Sequence, residues 1–165
     1  MKLDRKNSIK ALSYLDLINL NEFEKENILI ESNFQVTGEG NSLESDIEIL
    51  LGFIESSYKG VKNEYLEKKL SDIYKSNVIV LGIVENFFPC NCCNFKTLES
   101  SGEYFICPVC FWEDDGLTDP EKYSSVNGMF LKQAKSNFET IGCISSKYID
   151  KVDKNGKEKY YKITK

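Results

Sequence analysis

Six of the 165 residues are Cys and none is His, and every Cys lies between positions 90 and 143. The chemistry on offer is that of thiolates: metal ligation, redox exchange or nucleophilic attack. Without His, the commonest general base, a Ser-His-Asp arrangement, His-containing zinc enzyme sites and haem held by His are excluded. Five Cys fall into two groups, Cys90-Asn-Cys-Cys93 and Cys107-Pro-Val-Cys110. Each holds a C-x-x-C turn, which presents two sulfurs on one side of a tight loop. Tetrahedral Zn²⁺ takes four such thiolates at about 2.3 Å.

The spacer decides whether the two pairs can meet. Phe95–Glu99 and Glu103–Ile106 have strand character on either side of Ser100-Ser-Gly102, a Gly-containing turn, so a hairpin is expected between them. Such a hairpin returns the chain to its start and sets Cys90 and Cys93 beside Cys107 and Cys110, the geometry of a zinc ribbon. Cys92 is an alternative to Cys93 as ligand, although two-residue spacing favours Cys93. Cys143 reads as a core thiol. Taken alone, Cys107-Pro-Val-Cys110 resembles a glutaredoxin-type redox pair. A βαβ setting is missing around it, and the second C-x-x-C nearby favours metal.

Phe111-Trp-Glu-Asp-Asp-Gly116 follows directly. Phe111 and Trp112 are expected to pack over the metal knuckle, with Glu113, Asp114 and Asp115 in a turn. The other reading makes Trp112, Glu113, Asp114 and Asp115 an acidic, aromatic-anchored patch for a basic partner. Nothing nearby supplies a nucleophile or an oxyanion hole, so no enzyme is expected.

These residues carry a resemblance. Phe88-Pro-Cys-Asn-Cys-Cys-Asn-Phe-Lys-Thr-Leu98, Tyr104-Phe-Ile-Cys-Pro-Val-Cys-Phe-Trp-Glu-Asp-Asp-Gly116, Asn127-Gly-Met129 and Ala134-x-x-Asn-Phe138 are similar to the bacterial cysteine-rich CPCC domain family over about residues 86–150. Tyr58–Leu66 resembles the N-terminal helical extension of some members. The resemblance implies metal binding through the Cys and, by analogy with small cysteine-rich bacterial proteins, an immunity partner of a toxin. Two residues depart from the pattern: Asn91 stands where the name-giving Pro is expected, and Asn94 where Gly usually follows the pair. Asn is the non-Gly residue that best tolerates a left-handed backbone, so the turn is expected to survive.

The elements that position this centre are read from composition and periodicity. Residues 1–85 carry 10 basic and 15 acidic side chains and residues 86–165 carry 11 of each, with all Cys and all three Pro in the second part. A helical region over 1–85, ending in a short strand, is expected to join a cysteine-rich domain over 86–165 near Glu85-Asn86. Helices are expected from Ser8 as cap, from the capping box Asn21-x-x-Glu24 to about Glu31, from Asn41 to Gly60, and from Asn63 to before Asn77. Val78–Val84 is short and β-branched and reads as a buried strand. Asp119–Gly128 reads as loop, and Met129–Thr140 as a helix stopped at Gly142. Lys147–Lys165 holds seven Lys against three acids, with Tyr148, Tyr160 and Tyr161 interleaved. A β-hairpin about Asn155-Gly156 is expected there; a nucleic-acid-binding tail is the alternative.

The fold class expected is α+β: a helical N-terminal region, a zinc-ribbon-like four-cysteine hairpin module, a short helix and a C-terminal hairpin. A formal charge of −5 argues against a polyanion binder and for a basic protein partner. The opening Met1–Asn7 is mixed in charge and no apolar run approaches the ~20 residues of a membrane span, so a cytoplasmic location, in a compartment that keeps thiols reduced, is expected. The function expected is a non-catalytic zinc-binding interaction module of the immunity type. A nucleic-acid-binding zinc ribbon is the alternative, and a thiol oxidoreductase a further one.

Overall fold

The computed structural model describes residues 1–36 and 46–163. The chain forms two compact units, Met1–Lys59 with Asn63–Ile83, and Gly60–Lys62 with Val84–Lys165. A join drawn from composition puts Gly60–Lys62 with the first part. The structure puts it with the second, where the Lys62 N–H donates to the Lys159 carbonyl at 2.9 Å and the Gly60 N–H to Glu85 Oε2 at 3.0 Å.

The first unit contains β1 (Lys2–Asp4), α1 (Arg5–Asn19), α2 (Glu22–Val36), α3 (Asp46–Ser56), α4 (Asn63–Tyr74) and β2 (Ile79–Leu81). The two strands pair in parallel, Leu3 opposite Val80. Lys2-Leu-Asp4 is too short and too charged to announce a strand in sequence. Its presence moves the start of α1: Asp4 caps the helix, its Oδ1 accepting the Asn7 N–H at 2.9 Å. Ser8, the expected cap, lies inside and donates to the Asp4 carbonyl at 2.7 Å. The Asn21–Glu24 capping box forms as expected, each residue's backbone N–H reaching the other's side chain at 2.9 Å. The expected start of the third helix at Asn41 lies outside the described residues.

The Val78–Val84 strand is shorter than expected and half-buried. Val78 and Val80 point inward, while Ile79 and Leu81 are exposed. Its outer edge is closed by α4: the N–H groups of Val78 and Val80 donate to Ser71 Oγ (3.0 Å) and Glu67 Oε1 (2.9 Å), and Asn63 Nδ2 donates to the Gly82 carbonyl (2.8 Å). Leu12, Leu50, Ile54, Tyr65, Leu66 and Leu70 fill the core beneath. Arg5 is buried there with its guanidinium on Asn63 Oδ1 (2.9 Å) and the Tyr58 carbonyl (3.3 Å).

The second unit contains β3 (Phe88–Pro89), β4 (Lys96–Leu98), β5 (Tyr123–Ser124), β6 (Met129–Phe130), α5 (Leu131–Ile141), a 3₁₀ turn (Ser146–Tyr148) and α6 (Gly156–Lys159). The class is α+β, with small hairpin sheets and short helices around a four-cysteine centre. The hairpins differ from those expected. Lys96–Leu98 pairs with Phe88–Pro89, across the first Cys group, and not with Glu103–Ile106. Ile106 pairs instead with Glu113, across the second group. Each C-x-x-C is thus the tip of its own hairpin, because closing the short loop of each pair costs less entropy than closing the longer spacer.

Two further segments depart from expectation. Asp119–Gly128 is not all loop: Tyr123–Ser124 pairs with Met129–Phe130 around Gly128, which has φ 67° and donates its N–H to the Ser124 carbonyl at 2.9 Å. The helix therefore starts at Leu131 and ends at Gly142, left-handed at φ 82° as expected. The C-terminal hairpin about Asn155-Gly156 does not form. Asp153 captures the turn: its Oδ1 accepts the Asn155 N–H at 2.8 Å and its Oδ2 pairs with Lys159 at 2.6 Å. Gly156 opens a helical turn, packed so closely that an added Cβ would lie 3.0 Å from Val109 Cγ2. The chain end then runs antiparallel to Phe95, with the Lys96 N–H on the Tyr161 carbonyl (2.8 Å) and the Ile163 N–H on the Asn94 carbonyl (2.9 Å).

Because Asp4, and not Ser8, satisfies the exposed Asn7 N–H of α1, Asp4→Ala is expected to cost about 1 kcal/mol. Denaturant unfolding of the two proteins side by side measures it.

Candidate metal centre

The two Cys hairpins repeat one hydrogen-bond pattern. In the first, the Cys90 N–H donates to the Phe95 carbonyl (2.9 Å) and the Asn94 N–H to the Cys90 carbonyl (2.9 Å). In the second, the Cys107 N–H donates to the Trp112 carbonyl (2.8 Å) and the Phe111 N–H to the Cys107 carbonyl (2.8 Å). The residue after each second Cys is left-handed, Asn94 at φ 64° and Phe111 at φ 68°. Asn94 thus holds the turn where Gly is usual, as expected. An aromatic residue in this conformation carries strain of order 1–3 kcal/mol. Phe111 is stacked on Tyr148, with ring centroids 4.3 Å apart and an interplanar angle of 23°.

These knuckles bring together Cys90, Cys93, Cys107 and Cys110, whose sulfurs all lie within 4.8 Å of one another in a buried pocket. Cys90 Sγ is 3.6 Å from Cys110 Sγ, and Cys93 Sγ is 3.6 Å from Cys107 Sγ. A disulfide requires about 2.05 Å, and all six Cys are free thiols. Four sulfurs at about 2.3 Å from a tetrahedral ion stand about 3.8 Å apart. The four thiols are positioned to hold one metal ion. Cys92 is buried beside the cluster and Cys143 is buried after α5, where its thiol donates to the Ser145 carbonyl at 3.1 Å. Neither belongs to the group of four.

The electrostatics are those of a crowded acid. The hydrogen bond with Cys107, together with burial, holds the Cys90 thiol well above its ordinary value. Burial, then hydrogen bonding with Cys107, does the same to Cys110. Burial opposes ionisation of Cys107 too, but hydrogen bonds from Cys110, Cys90, Cys93 and Thr97 outweigh it and hold that thiol well below the usual range. Thr97 supplies its bond from β4, Oγ1 to Cys107 Sγ at 3.2 Å. A divalent ion at the centre favours the thiolate form of all four, with release of their protons.

The segment after Cys110 turns inward. Trp112 is fully buried, as the packing reading expects, and so is Asp114. These two, expected on the alternative reading to face a partner, present nothing to the surface. Asp114 ties the knuckles together: Oδ2 accepts the Gly102 N–H at 2.7 Å and Oδ1 accepts Asn91 Nδ2 at 3.3 Å. Asn91, in place of the Pro expected there, thereby serves a buried carboxylate. Glu113 and Asp115 are half-buried. Asp115 Oδ2 accepts the Ser124 hydroxyl at 2.6 Å, and the Glu113 backbone is held on both sides by Asn127, N–H to Oδ1 at 2.9 Å and Nδ2 to carbonyl at 2.8 Å. Thr97, which donates to Cys107, and Asn127, which holds the Glu113 backbone, were not legible as site residues, since neither type nor spacing marks a residue whose role depends on another strand.

Cys93→Ser and Cys110→Ser are expected to lose bound metal, whereas Cys92→Ser and Cys143→Ser retain it. Elemental analysis of the purified variants decides, and equal loss from Cys92→Ser and Cys93→Ser would contradict the ligand set. Asn94→Ala is expected to cost roughly 1–2 kcal/mol, because Ala has no tolerance for the left-handed turn, and Asn94→Gly to cost nothing. Asn91→Pro leaves Asp114 without its side-chain donor and is expected to cost about 1–3 kcal/mol. Chemical denaturation of the metal-loaded variants reads all three.

No curated protein and no solved structure matches the chain. The family model described as Cysteine-rich CPCC matches residues 88–159, from the first arm of the first knuckle to the end of α6. The segment that folds around the four convergent thiols is a cysteine-rich CPCC domain.

Proposed function

We propose that the chain is a non-catalytic zinc protein whose four-thiolate centre is structural and whose acidic surface receives a basic protein partner, as an immunity protein receives the toxin it neutralises. The convergence of four buried sulfurs carries this reading. Four protein ligands fill a tetrahedral ion and leave no position for water or substrate, so the ion stabilises the fold and performs no reaction. Soft thiolates select zinc or iron over magnesium, calcium or manganese, and a redox-inert zinc suits a purely structural role. Four thiolates and Zn²⁺ carry −2 together, which moves the formal charge from −5 to −7. An acidic inhibitor is attracted to the positive surface that a nucleic-acid-cleaving toxin needs for its own substrate. A reducing cytoplasm keeps the thiols available. Among the described residues no helix is long and apolar enough to cross a membrane.

The Lys-rich end gives little support to a nucleic-acid-binding function. Lys147, Lys157 and Lys162 lie over the rings of Tyr148, Phe138 and Phe95, at 4.6, 5.0 and 5.5 Å from the centroids. These cations are turned onto the chain's own aromatic faces. A thiol oxidoreductase is likewise poorly served, because Cys107 and Cys110 are both fully buried and an attacking thiol needs access.

Elemental analysis of protein purified without chelators is expected to give one zinc per chain. Chelation is expected to unfold the second unit and shift the emission of Trp112, the single Trp, to longer wavelength. Iron in place of zinc, or a metal-free protein with unchanged emission, sinks the structural-zinc reading. Cross-linked co-purification from the native host is expected to recover a basic protein, with recovery falling as salt rises. Recovery of nucleic acid alone overturns the partner.

A further inference from the structure

The twin knuckles share a fold but not an exterior. Each has an arm leading into its first Cys and an arm leaving its second. Both leaving arms are covered: the Lys96 N–H by the Tyr161 carbonyl, and the equivalent Glu113 N–H by the Asn127 side chain. The entering arms differ at the residue just before the first Cys. In the first knuckle it is Pro89, which has no N–H to offer a further strand. In the second it is Ile106. The hydrogen bonds flanking the Ile106–Glu113 bridge run from the Cys107 N–H to the Trp112 carbonyl and from the Asp114 N–H to the Phe105 carbonyl, at 2.8 and 3.0 Å. In an antiparallel pair this turns the N–H and C=O of Ile106 outward. Among the described residues nothing pairs with them or with the Phe105 N–H.

The side chains agree with the backbone. Tyr104, Phe105 and Ile106 are 57%, 43% and 50% exposed in succession, an open apolar edge of the kind that proteins ordinarily block. The outer edge of β2 in the first unit is blocked in that way by Ser71 and Glu67. The charge at the open edge is acidic: Glu103 lies exposed in the segment itself and half-buried Glu113 stands opposite Ile106.

We propose that Phe105 and Ile106, with Glu103 and Tyr104 beside them, form a docking edge that takes an extended segment of a basic protein, a strand in which apolar residues alternate with Lys or Arg. This rests on the reading of the partner as a basic protein and says where that partner binds. Main-chain hydrogen bonds at Ile106 set the register, the exposed apolar side chains bury against the incoming strand, and Glu103 and Glu113 select its charge. A second copy of this chain would set Glu103 and its acidic neighbours against carboxylates of the same sign. Tyr104, left-handed at φ 61°, and Pro108 bound the edge, so the segment it takes is short.

The test is calorimetric titration of the zinc-loaded full chain with a blocked peptide of about eight alternating Lys and Val residues, long enough to form one strand. Its Glu/Val counterpart and a version N-methylated on alternate amides serve as comparisons. The Lys/Val peptide is expected to bind and the Glu/Val peptide not to bind. N-methylation, and separately Ile106→Pro, each weaken binding about tenfold or more, the size of one or two lost hydrogen bonds. Ile106→Pro is expected to keep its zinc, because Pro89 occupies the same place in the twin knuckle; should that variant lose zinc, the N-methylated peptide on the wild-type chain decides. Absence of binding by the Lys/Val peptide, or equal binding by its N-methylated form, overturns the edge. Sedimentation showing self-association that Ile106→Pro abolishes overturns the basic partner in favour of a second copy. Recovery of the same basic protein by wild type and by zinc-loaded Ile106→Pro removes the edge and leaves the partner reading standing. Failure of wild type to recover any basic protein removes the partner reading, while the titration still judges the edge.

Discussion

Four sulfurs lie within 4.8 Å of one another where solvent does not reach. Such a group is stable as neutral thiols, or as thiolates gathered on a cation, but not as a set of free anions, because each charge would be both desolvated and repelled by its neighbours. The second unit is built around this constraint. All six Cys are among its buried residues, and its large buried side chains are few, Trp112, Leu98, Leu131 and Ile144 being fully enclosed. A unit of this size with so small an aliphatic core needs a staple. An ion held by side chains from both knuckles would supply one, since its binding free energy is also folding free energy.

Each knuckle reaches the same backbone geometry by different means. Asn94 adopts the left-handed turn with the help of its residue type, whereas Phe111 is held in it with its ring against Tyr148. The covering groups differ as well, a main-chain strand over one and an Asn side chain over the other. Asp114 belongs to neither hairpin alone. It accepts from Asn91 in the first knuckle and from Gly102 in the spacer, so the register of the two Cys pairs is fixed by a buried carboxylate as well as by the sulfurs.

This division sorts the acidic residues by role. Asp114 is structural, Asp115 positions the β5 strand through Ser124, Glu121 pairs with Lys132, and Glu103 and Glu113 lie at the open edge. The same stretch contains the exposed run from Glu103 to Ile106. Glu103, Glu113 and the unpaired backbone of Ile106 therefore lie together just before Cys107.

The four metal-ligating candidates were legible in sequence because C-x-x-C is a local device: the turn that pairs two sulfurs is complete within a few residues and needs no help from the rest of the chain. The capping box at Asn21, the left-handed Asn94 and the helix stop at Gly142 were legible for the same reason. The misread segments all depended on distant partners. Asp4 replaced Ser8 as cap because β1 pairs with β2, far along the chain. Asn155-Gly156 left its hairpin conformation because Asp153, Lys159 and Val109 hold it otherwise. Glu103–Ile106 and Lys96–Leu98, both strand-like in sequence, found different partners because each C-x-x-C closes its own flanks into a hairpin. Sequence determined which four sulfurs converge; tertiary structure decided which carboxylates are buried and which strand edge is left open, since both depend on what other segments cover.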